Sequence, residues 1–333
     1  MSIILHIHTI VLSKPLFSEN FTWFLIFTLV FVLAGLLIYF HWVNKKFRNE
    51  NRNLSDKLSE RTYQVMLQKW ELERKNLAIS QQNQDILDGM RYARNIQFAV
   101  LPKEEKISRS FSDHFVLYKP KDIVSGDFYF YEDTGPYVYL AAADCTGHGV
   151  AGAFMAMVGS SLLHQITGQQ RAAETCEILD KLNEGIIDAL RQKDTDSHGG
   201  MDIALIRYDK TKSELCFSGA NRPLVLIRNY NLETYPGSKL SLGGFNQNEQ
   251  KKFDETIIPI KKDDRIYLFT VGFADQFGGP AGKKIMTKNF KEILYSIHEN
   301  PMNEQKATLE GYYENWKGRL DQIDDILVIG IKF

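Results

Sequence analysis

An α+β fold, a layered sandwich of many short strands interrupted by paired helices, is predicted for the part of this chain that follows residue 100. Three observations predict it. From about His114 onward, short apolar or alternating runs recur between turn residues. Two pairs of helical patterns break into them, over 149–167 with 172–191 and over 290–298 with 304–316. No glycine-rich phosphate loop of the P-loop or dinucleotide kind follows a strand.

The chain has 333 residues, enough for one or two domains, and a formal net charge of −1, which gives no nucleic-acid footprint. Its cysteines, Cys145, Cys176 and Cys216, show neither pairing nor metal-type spacing and read as reduced thiols. Segment 1–20 reads as a short extracytoplasmic piece, too small for a sensor domain. Phe21–Val43 carries no charged residue and is rich in Phe, Leu, Ile and Val. That predicts one transmembrane helix over 21–43. Trp23 at one end and Tyr39 and Trp42 at the other suit the two interfaces. No basic region precedes the apolar run, as a cleaved signal peptide would require. Lys45, Lys46, Arg48 and Arg52 follow it, against Lys14 alone before it. The positive-inside rule therefore puts the remainder in the cytoplasm, with the chain a single-pass protein of the cytoplasmic (inner) membrane.

Segment 44–100 is charged, free of proline, and without glycine until Gly89. It predicts a long helical linker. Leu54, Leu58, Val65, Leu72 and Ile79 form an imperfect seam, which favours a parallel homodimeric coiled coil over a single solvated helix. Leu101-Pro102 ends that helix, and 101–333 is the globular domain. Its strands are expected at 115–118, 127–131, 137–142, 203–208, 215–218, 224–228, 256–260, 265–270 and 326–331.

Within that domain, Ala143-Asp144-Cys145-Thr146-Gly147-His148-Gly149 follows an apolar run that reads as a buried strand. A carboxylate at a strand end, then two glycines and a helix, is a rigid way to present a metal ligand. Ser125-Gly126-Asp127 lies upstream and Asp324-Asp325 precedes the last strand. Three carboxylate sites from distant parts of one domain point to a hard cation of the Mg²⁺ or Mn²⁺ kind. The residues alone leave alternatives. Asp144 also suits a turn, Asp127 a hairpin cap and Asp324-Asp325 a surface turn. His148 has the chemistry of a catalytic residue, but its place between glycines favours a loop-shaping role. Lys119 and Lys121 either draw a substrate phosphate or are solvated surface charge. Asp202 sits beside a strand start, behind the ligands, and Asn221 and Arg222 lie on a turn that borders a cleft. Nucleotide cyclases and nucleases also use carboxylate-held cations, but no basic groove or base-stacking platform accompanies these residues.

Six segments occur here in one order: SGDF at 125–128, ADCTGHG at 143–149, GMDIAL at 200–205, GANRPL at 219–224, LFTVGFADQFGG at 268–279 and DDILVIG at 324–330. From about Ile86 to the C-terminus the chain resembles the SpoIIE/RsbU-type branch of the PPM (2C-like) metal-dependent serine/threonine protein phosphatases, in its membrane-anchored sensor form. The resemblance implies a central antiparallel β-sandwich flanked by helix pairs, with two Mn²⁺ or Mg²⁺ ions at one end. It implies that Asp144 bridges both ions, that the backbone carbonyl of Cys145 binds the second, and that Asp324 holds the first, with Asp325 the alternative. Asp127 would act through water, and Asp275 would serve a third ion. From the residues rather than the resemblance, Lys121 and Asn221 are the candidates to contact the substrate. The substrate implied is a phosphoserine or phosphothreonine on a regulatory protein of the anti-sigma-factor-antagonist type. Where the family has Thr-Asp-Gly, however, this chain has Thr270-Val271-Gly272. Valine has no donor atom, so a catalytically impaired pseudophosphatase acting as a binding module is the alternative expectation.

Overall fold

The structure, a computed structural model, describes residues 19–169, 173–195, 199–244 and 252–333. Most of the expected segment 1–20 lies outside the described residues. The chain divides into two compact units, Met1–Asn83 and Gln84–Phe333.

The first unit is carried by helix α1, Glu19–Val100, which continues into the second. Its N-terminal part is long and apolar enough to cross a membrane. Leu54, Leu58, Val65, Leu72 and Ile79 all stand exposed on it. The last turns of α1 belong to the second unit, where the expectation began the domain at 101. Gln97 explains why, because its amide is buried against that unit's backbone.

The second unit is a sandwich of two antiparallel sheets between helix layers. One sheet runs β1-β13-β10-β6-β7, formed by Asp113–Lys119, Ile326–Lys332, Arg265–Phe269, Leu224–Arg228 and Asn231–Tyr235. The other runs β2-β3-β4-β5-β9, formed by Asp127–Asp133, Tyr137–Cys145, Gly200–Asp209, Glu214–Ala220 and Thr256–Pro259, with β8 (Leu242–Gly243) beside β4. A small hairpin, β11 (Phe277–Gly278) with β12 (Lys283–Lys284), stands apart.

The period of two along each strand sorts side chains between layers. Tyr129, Leu140, Ala142, Ala204 and Ile206 meet Leu224, Leu268 and Ile329 between the sheets. Alternate residues of the second sheet, such as Phe128, Ala141 and Ile203, pack on helices α3 (Gly149–Gln169) and α4 (Thr175–Ala189). Phe115, Tyr267 and Val328 pack on α6 (Thr287–Ile297) and α7 (Met302–Lys317). Two short helices complete the unit, α2 (Glu104–Ile107) and α5 (Gly272–Asp275). α3 also has the length and apolarity of a membrane span, but 44% of its apolar window is buried, as in a core helix.

Candidate metal-dependent active site

The site forms where the apolar filling between the sheets gives way to carboxylates. In the antiparallel register Asp127 of β2 faces Asp144 of β3, and Asp144 faces Asp202 of β4. Residues directly opposite share a face, with Cβ atoms roughly 4.5–5.5 Å apart. The row continues the inward face of Tyr129, Ala142 and Ala204, so it points between the sheets. Asp144, Asp202 and Asp324 line one polar cleft of about 380 Å³, together with Lys121, His148 and Ser241.

Glycines allow the loops to close on this cleft. Gly147 has φ +87, and a Cβ at Gly126 or Gly152 would come within 2.5 and 2.2 Å of its carbonyl oxygen. At Gly272, a Cβ would sit 1.9 Å from the Asp325 carbonyl, so this glycine lets the Asp324-Asp325 loop reach the start of α5.

Each carboxylate has distinct surroundings. Asp127 is buried and accepts a 2.6 Å hydrogen bond from the Thr270 hydroxyl. Burial, then the charge of Asp144, holds its carboxyl well above the usual carboxylate range. Asp144 is pushed up to about 6, by burial first, with Asp324 and Asp202 adding to it and Arg222 and the Val271 N–H opposing it. Asp324 is raised by burial and by Asp325. Burial first, and repulsion between neighbouring carboxylates second, make the electrostatic setting that a divalent cation relieves.

Asp325 differs from its neighbour. It is buried, and its two oxygens accept 2.7 Å hydrogen bonds from the backbone N–H groups of Lys121 and Gly126. It ties the 121–126 loop to the last strand, while Asp324 faces the cleft. Asp325→Ala is expected to lower the stability of the metal-free protein by roughly 2–4 kcal/mol, since two buried donors lose a charged acceptor. Asp324→Ala is expected to leave the unfolding free energy within about 1 kcal/mol while weakening Mn²⁺ binding. Denaturant unfolding and Mn²⁺ titration of both variants check the pair of outcomes.

Other residues singled out from the sequence fall in varied places. Cys145 is among the residues lining the cleft, and its side chain belongs to the core against α3 and α4. Asp275 is paired with Lys284 at 3.0 Å and does not line the cleft. Lys121 lines it, whereas Lys119 is engaged with Glu314. Asn221, with φ 56, donates to Asp202 at 2.9 Å. His148 contacts Asp122 at 2.9 Å, an exposed pair that fixes the glycine loop to the 120s loop. Thr270, Ser125 and Ser241 carry hydrogen bonds of the site that the sequence reading did not single out; small hydroxyl residues give no pattern of their own.

The donor set fits a cation in part. Crowded carboxylates of raised pKa suit one, but among the described residues no three Asp, Glu, His or Cys side chains form a metal cage. Asp127 is turned to Thr270 and Asp202 to Arg222, and Val271 has no donor atom to offer.

A two-layer sandwich with helix pairs outside and acidic residues at one pole defines the class of PPM (2C-like) phosphatases. The family model described as Stage II sporulation protein E (SpoIIE) matches residues 134–333, and the chain belongs to that family. It carries a PPM-type serine/threonine phosphatase domain. The SiaA-PP2C domain of Pseudomonas aeruginosa is similar at 27% identity and TM-score 0.69, over 75% of this chain and 98% of that one. The PP2C phosphatase domain and regulatory fragment of SpoIIE from Bacillus subtilis shares the fold at 17% identity and TM-score 0.54, over 66% of this chain and 63% of that one. The RsbU and RsbW domains of a Mycobacterium tuberculosis protein share it at 17% identity and TM-score 0.52, over 66% and 59%. No curated protein matches the chain.

Proposed function

We propose that the chain is a membrane-tethered phosphoserine/phosphothreonine protein phosphatase that uses Mn²⁺ or Mg²⁺. Asp144, Asp202 and Asp324 lining one cleft, with Asp127 buried opposite Asp144 in the strand register, carry this reading. Asp144 and Asp324 would be the direct ligands, with the Cys145 carbonyl beside them and Asp127 behind. A bound divalent cation would supply an activated water and draw charge from the phosphoryl oxygens. The chain's own groups orient and charge the pocket. Thr270 fixes Asp127, Asp325 fixes the 121–126 loop, and Lys121 and His148 stand at the mouth, where a dianionic phosphate arrives.

The substrate proposed is a phosphorylated regulatory protein of the anti-sigma-factor-antagonist type. The resemblance to RsbU-type phosphatases supports it, and the fold shared with the RsbU and RsbW domains agrees. Anchoring through the apolar part of α1, with the catalytic unit in the cytoplasm, is supported by its length and by the basic cluster after it. A parallel dimer through α1 is supported by the exposed Leu54-to-Ile79 seam. The last turns of α1 also bear on the site. Gln97 donates to the Ser125 carbonyl at 2.7 Å and accepts from the Ser125 N–H at 3.0 Å, two residues before Asp127.

Val271 favours a second reading, a pseudophosphatase that binds a phosphoprotein without turning it over. The full chain in detergent with Mn²⁺ is expected to release inorganic phosphate from a phosphoserine peptide, and excess chelator to stop it. Folded protein that shows no release above the chelated control would leave the binding module as the reading that stands.

A further inference from the structure

Asp324 reaches the cleft on a stretch with no regular structure of its own. α7 ends at Lys317 and β13 begins at Ile326, with only turns and bends between them. Backbone groups on such a stretch must find partners on other elements. Two of them find the same one. The Asp321 carbonyl accepts from Nε2 of Gln276 at 3.0 Å, and the Ile323 N–H donates to its Oε1 at 3.2 Å.

Gln276 is fully buried and directly follows α5. A glutamine amide has two N–H donors and an oxygen that accepts two bonds. Every one of these is used. Nε2 also donates to the Phe277 carbonyl at 3.0 Å, and Oε1 also accepts from the Tyr313 hydroxyl of α7 at 2.6 Å. These partners fix which way the amide points, since the two carbonyls can only accept and the Ile323 N–H can only donate. The main-chain oxygen of Gln276 is occupied too, by the Trp316 indole N–H at 3.2 Å and the Ile285 N–H at 3.1 Å. At the other end of α5, Gly272 lies against the Asp325 carbonyl. α5 thus grips the approach to β13 on both sides of Asp324, while Ile323 and Asp324 themselves line the cleft.

We propose that Gln276 is a positioning residue for Asp324: its buried amide fixes the backbone at Asp321 and Ile323, and so sets how firmly the Asp324 carboxylate is presented to a cation in the cleft. Gln276 does not line the cleft and acts only through this loop. The inference rests on the phosphatase reading above.

The test uses the full chain in detergent, with calorimetric titration for Mn²⁺ affinity and hydrogen–deuterium exchange on the metal-free protein. Gln276→Met keeps the length of the side chain and removes the bonds of its amide. It is expected to weaken Mn²⁺ binding by about 10-fold, the low end of what losing a group that orients a metal ligand costs. Without metal, residues 318–325 are expected to exchange faster, while 125–128 and 143–149 exchange as in the parent. Tyr313→Phe also takes a buried hydrogen bond from Gln276 but leaves Asp321 and Ile323 held. It is expected to lower the unfolding temperature and to keep Mn²⁺ affinity within about 2-fold of the parent. Should Gln276→Met not fold, Gln276→Glu takes its place. It keeps an oxygen for Ile323 and gives up donation to at least one carbonyl, and about 3-fold weaker binding is expected. A merely structural glutamine would speed exchange across the whole unit and leave the affinity of folded protein unchanged. A folded Gln276 variant that binds Mn²⁺ as the parent does, or a Tyr313→Phe that weakens it equally, would overturn the inference and leave the phosphatase reading intact. A parent that binds no Mn²⁺ would overturn both.

Discussion

Val271→Asp is expected to raise Mn²⁺-dependent hydrolysis of a phosphoserine peptide by about 100-fold or more at saturating Mn²⁺. The backbone is already in place for the change. Val271 precedes α5 and follows Thr270, which holds Asp127. A carboxylate there adds a charged oxygen ligand, and the affinity of oxygen-ligated cations depends on ligand number and charge. Phosphate esters hydrolyse so slowly unaided that nearly all the rate must come from cation charge and positioning, so a restored ligand acts on turnover far more than on folding. Initial rates for parent and variant across a Mn²⁺ series check this. A parent that already turns over as fast as the variant would show that Val271 limits nothing, and would remove the case for a pseudophosphatase.

Asp144→Asn is expected to reduce turnover at least about 1,000-fold and Mn²⁺ affinity at least about 100-fold, because the central ligand loses its charge. The same change is expected to stabilise the metal-free protein at neutral pH. Burial raises the Asp144 carboxyl to about 6 in the folded state. A carboxyl raised on folding favours the native state below its ordinary pKa near 4, and that advantage is lost as pH rises through about 6. At pH 7 ionised Asp144 therefore weighs against the metal-free fold by roughly 2–3 kcal/mol, a weight that asparagine removes. Thermal unfolding between pH 4 and 8 should show the variant above the parent at neutral pH, with the gap closing toward pH 4. Added Mn²⁺ should invert the order. A variant less stable than the parent at every pH, with or without metal, would contradict the electrostatic account of the site.

Much of this fold is legible in the sequence because its signals are periodic. Alternation in β2, β3 and β4 and the stripes of α4 and α6 reflect burial on one face, and the expected elements match the observed ones to within a few residues. What escaped the sequence lacks such a signal. β7 is joined to β6 through Asn229 and Tyr230, both at positive φ, and a tyrosine there gives no turn signature. β8, β11 and β12 are two residues each, too short for any period.

For the site, Asp127, Asp144 and Asp324 stood out because each interrupts a pattern next to a glycine or a strand start. Sequence order could not separate Asp324 from Asp325. Only the backbone N–H groups of Lys121 and Gly126, reached across the fold, divide their roles. Nor could spacing place Asp202 opposite Asp144, since that follows from strand register. Arg222, read from the sequence as a residue on a turn bordering a cleft, proves to donate to Asp202 and to approach Asp144 to 4.0 Å, because the preceding Asn221 bridges to Ile203 of β4.

The claim on which the rest depends is that Asp144 and Asp324, remote in the chain, hold the same ion. Anomalous diffraction at the manganese edge, from crystals of the protein grown with Mn²⁺, tests it directly. A strong peak within about 2.5 Å of a carboxylate oxygen of both residues is the expected result. No peak in the cleft at saturating Mn²⁺, or one bound to only one of the two aspartates, would contradict it.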